Sequence, residues 1–284
     1  MPSRLRTFLW RHLPRVMLVA RYVRHFGRLP RILRPQTFNE RVLVKLLFDR
    51  DPRLTLFADK FAVRAYVAER LGGEQNLTTL YAAADRPEEI GHLNLPNRFI
   101  MKPTHLSGHV KMVKDLAAIE RTELEVLAAA WLRRNYGFER GEWAYRGIRP
   151  RVLFEELLEE EGHGPIDYRF HCYRGEPRFL LVTRDVHGPD STFTYYDTEF
   201  RMLPFRLATT RGRYVAMEVE PPPNLRDMLE IARKLSAGTE FLRVDLYNIG
   251  GRIVFGELTN YPAAGFRMFD PPSWDLTLGR YWRQ

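Results

Sequence analysis

Residues 241–260 constrain the fold more than any other part of this sequence. Residues 241–247 and 252–258 are two runs rich in β-branched and aromatic side chains, a composition that favours strands. They are separated by a short segment that contains Gly250 and Gly251, and glycines between two such runs are typical of a hairpin turn. The pattern therefore predicts two antiparallel strands joined by a tight turn.

The register of this hairpin decides where its two acidic residues point, because side chains alternate between the two faces of a strand. We expect a three-residue loop, residues 249–251, with a glycine at positive φ. Asp245 then lies opposite Phe255 and Glu257 lies opposite Arg243, so both acids share one face. A two- or four-residue loop would place them on opposite faces and bury one of them. The other face of the three-residue register is apolar apart from Arg252 at the turn and Gly256, and its apolar residues are Leu242, Val244, Leu246, Val254 and Leu258.

Two carboxylates on one sheet face suit a hard cation such as Mg²⁺, which prefers oxygen ligands and usually keeps water or phosphate oxygens as its other ligands. The alternative is a surface hairpin whose acids are simply solvated. The hairpin by itself does not decide between these two interpretations.

The net charge of +9 belongs to one segment of the 284 residues. Nine arginines, and no lysine or acidic residue, precede Pro35. Removing these nine from the 44 basic residues leaves 35 against 35 acidic ones, so residues 35–284 are formally neutral. A nucleic-acid partner is therefore not expected, because the main body offers no excess of positive charge to a phosphate backbone.

Residues 1–36 form a basic segment with apolar residues at partly helical spacing, which predicts an amphipathic helix broken at Pro14. Its longest apolar run, residues 16–20, is too short to span a bilayer. Residues 1–34 could contact an anionic membrane surface, or the apolar stripe could pack onto the main domain while the arginines stay solvated. Cys172 is the only cysteine, which is compatible with a reducing cytoplasm. We expect a cytoplasmic protein, with the inner face of the membrane as a possible site of peripheral contact.

The rest of the chain reads as α+β with mostly antiparallel strands. Thr37 and Glu40 have the spacing of a capping box and predict a helix start, with the helix running to residue 47. Strands are predicted at residues 98–102, 152–157, 167–173, 176–184 and 192–197. We expect three parts: the basic segment 1–36, a first domain at residues 37–151 and a second domain at residues 152–284.

Six short motifs in this order and spacing carry a family resemblance. They are Asp59-Lys60, residues 99–102 with His105 and Ser107-Gly108, residues 154–157, residues 167–173, Arg243 with Asp245, and residues 256–259. Together the chain resembles an ATP-grasp protein and, more narrowly, the TupA-like ATP-grasp family of polysaccharide gene clusters. The resemblance implies an α+β ATP-grasp fold in which two subdomains with mainly antiparallel sheets clamp a nucleotide.

The resemblance also implies roles for individual residues. It places Lys102 and Lys60 on the phosphates of ATP, with Ser107 and Gly108 covering the triphosphate, and Arg243 on a phosphate or phosphorylated intermediate. The sequence departs from the family pattern at Leu106 and His109, where small residues are expected. The remaining implied contacts are Glu155, Glu156 and Leu157 near adenine, Asp167 on the ribose hydroxyls, and Asp245, Glu257 and Thr259 as Mg²⁺ ligands.

The activity implied by the resemblance is an ATP- and Mg²⁺-dependent carboxylate–amine ligase that works through an acyl phosphate. Its acceptor would be a uronic-acid-bearing glycan or sugar precursor, with an amine as co-substrate. Two alternatives stay open. One is a kinase that transfers the phosphoryl group to a sugar hydroxyl. The other is a non-catalytic nucleotide- or glycan-binding partner of polysaccharide synthesis machinery.

Overall fold

A computed structural model describes residues 3–159, 164–184, 192–208 and 218–283, with side chains from residue 8 onward. The chain forms two compact units. Unit 1 comprises residues 1–14, 50–66 and 77–158, and unit 2 comprises residues 15–49, 67–76 and 159–284. The units interleave along the chain, and the contiguous division at residues 37–151 and 152–284 stays a prediction.

The α-helices are α1 Ser3–His12, α2 Pro14–Phe26, α3 Phe38–Phe48, α4 Arg53–Ala58, α5 Val63–Leu71, α6 Arg121–Leu132, α7 Tyr136–Arg140, α8 Leu225–Ser236 and α9 Ser273–Arg280. Short 3₁₀ helices lie at Pro87–His92, Leu116–Ala118, Trp143–Tyr145, Pro262–Gly265 and Tyr281–Arg283.

The strands are β1 Leu80–Ala84, β2 Phe99–Pro103, β3 Lys111–Val113, β4 Val152–Glu155, β5 Asp167–Tyr173, β6 Glu176–Arg184, β7 Thr192–Asp197, β8 Arg206–Leu207, β9 Phe241–Ile249, β10 Arg252–Thr259 and β11 Phe269–Asp270. They form a four-stranded sheet in the order β1-β4-β2-β3, a five-stranded sheet in the order β10-β9-β5-β6-β7, and the small pair β11-β8. Every strand pair among the described residues is antiparallel, which confirms the predicted α+β class.

The four-stranded sheet of unit 1 packs against α6. Phe99 and Met101 of β2 and Phe154 of β4 are fully buried, and Trp131 of α6 lies in the same apolar cluster. Residues of β2 alternate between buried and half-buried positions, so Lys102 lies on the other face from Met101. This packing buries one face of β2 against α6, and Lys102 lies on the opposite face.

The five-stranded sheet of unit 2 has one apolar face and one mixed face. Helix α8 covers the apolar face, where Cys172 of β5 lies 3.9 Å from the carbonyl oxygen of Ala232. The mixed face is aromatic at one end, where Phe38 of α3 packs edge-on against Phe241 and Trp282 stacks on Phe241. Polar residues of β5, β9 and β10 follow along the same face. The aromatic end anchors α3 and the C-terminal residues, whereas the polar end carries the charged side chains of the candidate site.

The hairpin of β9 and β10 differs from its predicted register. Its loop has two residues, Gly250 and Gly251, with φ of 55° and 89°, and Ile249 pairs with Arg252. Positive φ at both positions is what a two-residue type I′ turn requires, and two glycines meet that requirement without strain. The predicted three-residue loop was therefore wrong.

Both acids nevertheless share a face, because a β-bulge restores the alternation. The register shifts between Phe255 and Glu257, so Asp245 pairs with Glu257 directly. The extra residue is Gly256, where a Cβ atom would lie 3.1 Å from the carbonyl oxygen of Asp245. A glycine at a bulge allows this close approach of the two strands. Val254, predicted on the opposite face, pairs with Tyr247 and lies on the face of Asp245.

The basic N-terminal segment is helical and breaks at the predicted proline, since α1 ends at His12 and α2 begins at Pro14. In α2, Leu18 and Tyr22 are buried in unit 2. Within the described part of the chain, no helix has the length and apolar content needed to cross a bilayer.

Glu40 holds the start of α3 to the preceding loop. The capping box with Thr37 is formed as predicted, and the Glu40 carboxylate also accepts from the backbone N–H of Gln36 at 3.0 Å and from Arg28 Nη1 at 2.6 Å. Burial alone would raise the pKa of this carboxyl, but the hydrogen bonds from Gln36, Arg28 and the neighbouring backbone outweigh it and lower the pKa. The charged form of Glu40 is therefore part of the folded structure.

Replacing Glu40 with alanine is expected to lower the free energy of unfolding by about 3 kcal/mol, because it removes the buried carboxylate that accepts charge-assisted hydrogen bonds from Arg28 and from the Gln36 and Thr37 backbone. Denaturant titration at neutral pH measures the loss. Glu88→Ala is the matched control, since Glu88 is exposed on the surface and its loss is expected to cost less than about 0.5 kcal/mol. Equal effects of the two substitutions would contradict the anchoring role of Glu40.

Candidate active site

In unit 1 the predicted phosphate-binding lysine, Lys102, lies beside Glu155. Its Nζ is 2.7 Å from Glu155 Oε2, and the register places Glu155 opposite Ile100, on the same face of the sheet as Lys102. The Glu155 side chain is 2% exposed, whereas that of Lys102 is 19% exposed. The buried acid therefore holds the ammonium group of Lys102 and fixes its position.

Two further side chains complete the surroundings of Glu155. Thr78 Oγ1 donates to Glu155 Oε2 at 2.8 Å, and Arg64 Nη1 lies 3.5 Å from Oε1. The sequence analysis assigned Thr78 and Arg64 no role. Arg64 lies in the helix that follows the Asp59-Lys60 motif, and this proximity along the chain was the one signal that could have drawn attention to it. Glu155 was expected near adenine, and that contact stays a prediction, while its carboxylate accepts from Thr78 and pairs with Arg64 and Lys102.

The loop after β2, residues 103–109, is anchored from both ends. Leu106 is fully buried in the apolar cluster of unit 1, and Lys60 Nζ donates to the Leu106 carbonyl oxygen. His109 Nδ1 lies 2.8 Å from the Ser107 carbonyl oxygen, and His109 Nε2 contacts Arg134. The two departures from the family pattern thus fix the loop to its own unit. Gly108 stays exposed at its tip with φ of 71°.

The remaining residues expected near adenine follow β4. Glu156 Oε2 accepts from the Thr79 N–H at 3.1 Å, and the Glu156 N–H donates to the Thr79 carbonyl oxygen at 2.9 Å. Glu156 thereby extends the pairing of β4 with the segment before β1, and Leu157 comes next, half-buried. Their contacts with a nucleotide stay predictions.

In unit 2 the mixed face of the large sheet gathers five charged side chains. The register pairs Arg169 with Asp245, and Asp245 with Glu257, while Asp167 and Arg243 lie one pleat away on the same face. Three carboxylates and two guanidinium groups therefore meet on neighbouring strands. Thr259 pairs with Arg243, and its hydroxyl donates to Glu257 Oε1 at 3.0 Å.

Arg243 links the two predicted metal ligands. Its Nε lies 2.7 Å from Asp245 Oδ1, its Nη2 contacts Asp245 Oδ2, and the same Nη2 lies 2.9 Å from Glu257 Oε1. The side chain of Asp245 is 3% exposed and that of Glu257 is 46% exposed. The site therefore has a buried side at Asp245 and a solvent side at Glu257.

At Asp245 and Asp167, the neighbouring arginines do not offset the effect of burial on the carboxyl groups. Burial raises the pKa of Asp245 to about 7, although Arg243 acts in the opposite direction. Burial likewise raises the pKa of Asp167 against the effect of Arg169. An additional cation would stabilise the ionised form of both carboxyls, and carboxylate oxygens are the ligands that Mg²⁺ prefers. In the described part of the chain, no group of three or more histidine, cysteine, aspartate or glutamate side chains surrounds a common metal position. A cation held by Asp245 and Glu257 would therefore take its other ligands from water or phosphate.

Asp167 also has an acceptor that the fold leaves unused. Its Oδ2 is bonded to Arg169 at 2.8 Å, but its Oδ1 is buried without a hydrogen-bond partner among the described residues. Thr183, the residue opposite on β6, is fully buried, and its hydroxyl likewise has no partner there. Buried polar atoms are rarely left without partners, so this pair is suited to a ligand hydroxyl. The sequence analysis did not single out Thr183, because a threonine in a strand is ordinary.

His171 lies next to the charged group but is uncharged. It is buried, it stacks on Phe179 with 4.3 Å between ring centres, and its Nδ1 lies 3.1 Å from the Arg169 carbonyl oxygen. Burial lowers the pKa of His171 well below its ordinary value, and the nearby Arg243 acts in the same direction. The folded protein therefore keeps this imidazole neutral.

This depressed pKa predicts a pH dependence of stability. Below about pH 6.5 the unfolded chain protonates this histidine and the folded chain does not, so stability is lost as the pH falls. We expect the free energy of unfolding of the wild-type protein to fall relative to that of His171→Phe between about pH 7.5 and pH 5.5, by at most about 1.4 kcal/mol per pH unit. Denaturant titrations at several pH values measure the difference, in which the carboxyls common to both proteins cancel. A difference that stays constant with pH would contradict a neutral buried His171.

Comparison with known proteins identifies the family of this chain. The model of the family described as TupA-like ATPgrasp matches residues 40–283. The chain belongs to the TupA-like ATP-grasp family. The predicted family is thereby confirmed, and the match begins at α3, after the basic N-terminal segment. No curated protein matches the sequence.

The chain is similar to solved structures of ligases, and the first of the three that follow shows the same fold. An L-amino acid ligase from Bacillus licheniformis is 11% identical, with 94% of this chain and 61% of that chain covered and a TM-score of 0.51. A D-alanine–D-alanine ligase from Helicobacter pylori is 18% identical, with 80% and 61% covered and a TM-score of 0.43. A phosphoribosylamine–glycine ligase from Thermotoga maritima is 13% identical, with 78% and 55% covered and a TM-score of 0.44. The chain spans less than two thirds of the length of each of these structures. The family match and the fold shared with the L-amino acid ligase agree on an ATP-grasp protein.

Proposed function

We propose that this member of the TupA-like ATP-grasp family is an ATP- and Mg²⁺-dependent carboxylate–amine ligase. The observation that carries the proposal is Arg243 between Asp245 and Glu257 on one sheet face. Carboxylates that suit a metal and a guanidinium that suits phosphate oxygens stand side by side, which is the combination that phosphoryl transfer needs.

The reaction has two steps. An acceptor carboxylate oxygen attacks the γ-phosphorus of ATP, the bond to the β-phosphate oxygen breaks, and ADP and an acyl phosphate form. An amine then attacks the acyl carbon, phosphate leaves, and the amine loses a proton as the amide forms. In our proposal Arg243 stabilises the oxygens of the transferred phosphoryl group, while Lys102 and Lys60 bind the phosphates of ATP.

Asp245 and Glu257, with Thr259 beside them, would hold Mg²⁺, which neutralises charge on the phosphate oxygens when it is bound. Asp167 and Thr183 would bind the ribose hydroxyls through their two unpartnered oxygens. Ser107 and Gly108 would cover the triphosphate, and residues 155–157 would lie against adenine. Thr183 extends the ribose contact that the resemblance placed on Asp167 alone.

The acceptor in this proposal is a uronic-acid-bearing glycan or its precursor, and the amine is an amino acid or peptide. A glycan acceptor agrees with the polysaccharide gene clusters that the resemblance to this family implies. A cytoplasmic location, with the synthesis of such a glycan at the inner face of the membrane, belongs to the same proposal.

Isotope transfer tests the proposal directly. The protein is incubated with ATP, Mg²⁺, an amine mixture and uronic-acid oligosaccharides labelled with ¹⁸O in the carboxylate. A ligase transfers ¹⁸O into the released phosphate, and phosphate release depends on both acceptor and amine. A kinase instead yields a stable phosphorylated glycan without need of an amine. Tight ATP binding without turnover across all acceptors would indicate a non-catalytic binding protein, and either of these two outcomes would overturn the ligase.

A further inference from the structure

Four large apolar side chains of unit 2 stay exposed, three in the basic N-terminal segment and one at the end of α3. The exposed fractions are 59% for Val16, 75% for Leu29, 96% for Leu33 and 50% for Phe48. An open groove of about 400 Å³ is lined by residues of α2, of the segment that follows it and of the end of α3. The packing of Leu18 and Tyr22 into unit 2 therefore uses only one stripe of α2 and leaves a second apolar region uncovered.

Arginines surround this apolar region. Helix α2 and residues 27–36 contain six arginines and no acidic residue. The Arg15 guanidinium lies 5.4 Å from the centre of the exposed Phe48 ring. Arg24 and Arg34 are exposed and have no ion-pair partner among the described residues, whereas Arg28 is paired with Glu40. We call α2, residues 27–36 and Phe48 the basic apolar surface.

The charge of the basic apolar surface selects its partner. A second copy of the same surface would set arginines against arginines, because a two-fold interface brings identical patches together. An interface of anionic lipids offers negative headgroups for arginines and an acyl region for exposed leucine, valine and phenylalanine side chains. We propose that the basic apolar surface binds membranes that carry anionic lipids, with Leu33 and Phe48 inserted and Arg15, Arg24 and Arg34 at the headgroups. This inference does not depend on the proposed ligase activity.

Vesicle flotation with the full chain tests the proposal. The probes are vesicles of phosphatidylcholine alone and vesicles of phosphatidylcholine mixed with phosphatidylglycerol. We expect binding to the anionic vesicles, little binding to the neutral ones, and weaker binding as salt rises. Arg24→Gln combined with Arg34→Gln is expected to weaken binding by about 30-fold, and Leu33→Ser by about 10-fold.

Matched controls separate this surface from total charge and total hydrophobicity. Arg178→Gln combined with Arg226→Gln removes the same charge from exposed positions on β6 and α8, and Val126→Ser alters an apolar residue of α6 that is 71% exposed. Neither control should change binding by more than about two-fold, because neither position belongs to the surface. All substituted side chains are exposed, so thermal unfolding at an unchanged temperature confirms that each variant is folded.

Several outcomes would overturn the proposal. They are no flotation of the wild-type chain with anionic vesicles, equal losses in the two arginine pairs, or an unaffected Leu33→Ser variant. Salt-insensitive binding to neutral vesicles would overturn it as well. Self-association without vesicle binding, or capture of an acidic protein in place of lipid, would assign the surface to a protein partner and so contradict the membrane.

Discussion

Replacing Asp245 with asparagine is expected to reduce ATP-dependent turnover by about 10²- to 10³-fold and to leave the protein folded. The side chain keeps its size and one acceptor for Arg243, but it loses the negative charge that would hold Mg²⁺. Arg243 also keeps Glu257 as a charged partner at 2.9 Å, so the buried guanidinium is not left without a counter-charge. Phosphate release as a function of Mg²⁺ concentration, beside a thermal unfolding curve, measures both parts of the prediction.

The matched control is Asp227→Asn on α8, at an exposed position. It should leave turnover within about two-fold of wild type, since no buried partner is disturbed. Glu257→Gln should fall between these two variants, because its carboxylate is closer to solvent than that of Asp245. Full activity of Asp245→Asn at low Mg²⁺ would show that this carboxylate does not bind the metal.

Replacing Lys102 with methionine is the second change with a large expected effect. It should lower kcat/KM for ATP by about 10²- to 10³-fold, because the site loses a cation aimed at the phosphates. Glu155 would keep Thr78 and Arg64 as partners, so the sheet should persist. Steady-state kinetics over a range of ATP concentrations, with calorimetric ATP binding, separates lost affinity from lost rate.

Glu155→Gln tests how Lys102 is positioned. Lys102 stays present but loses the charge that fixes it, so we expect an intermediate loss of about 10- to 100-fold. Lys234→Met on α8 is the control, since its ion pair with Glu230 lies at the surface and contributes little. If Lys102→Met behaved like Lys234→Met, Lys102 would have no part in ATP binding.

The hairpin illustrates how far sequence reasoning reaches. The strands and the turn were evident from two apolar runs around Gly250 and Gly251, and the shared face of the acids was predicted from the requirement that one face be apolar. The loop length was wrong because Gly256 was treated as an ordinary strand residue. A glycine inside a strand pattern indicates a bulge, and a bulge compensates for the missing loop residue.

The loop at Leu106 shows the opposite limit. Its departure from the family pattern was visible in the sequence, but its meaning was not. Only the packing of unit 1 shows that Leu106 is a core residue and that His109 contacts Arg134, 25 positions away. Contacts between distant positions depend on chain geometry that local composition does not encode.

The sequence by itself determined the antiparallel α+β class, the family and the basic N-terminal segment, because periodicity, turn residues and motif spacing are local properties of the chain. The tertiary structure alone decided which groups surround the acids of each unit. In unit 2, strand register places Arg169 opposite Asp245 and Thr183 opposite Asp167. In unit 1, packing brings Thr78 and Arg64 to Glu155. Burial then shifts the pKa of Asp245 and His171. A one-residue shift reverses the face of every later side chain in a strand, so the bulge at Gly256 places Glu257 and Thr259 opposite Asp245 and Arg243.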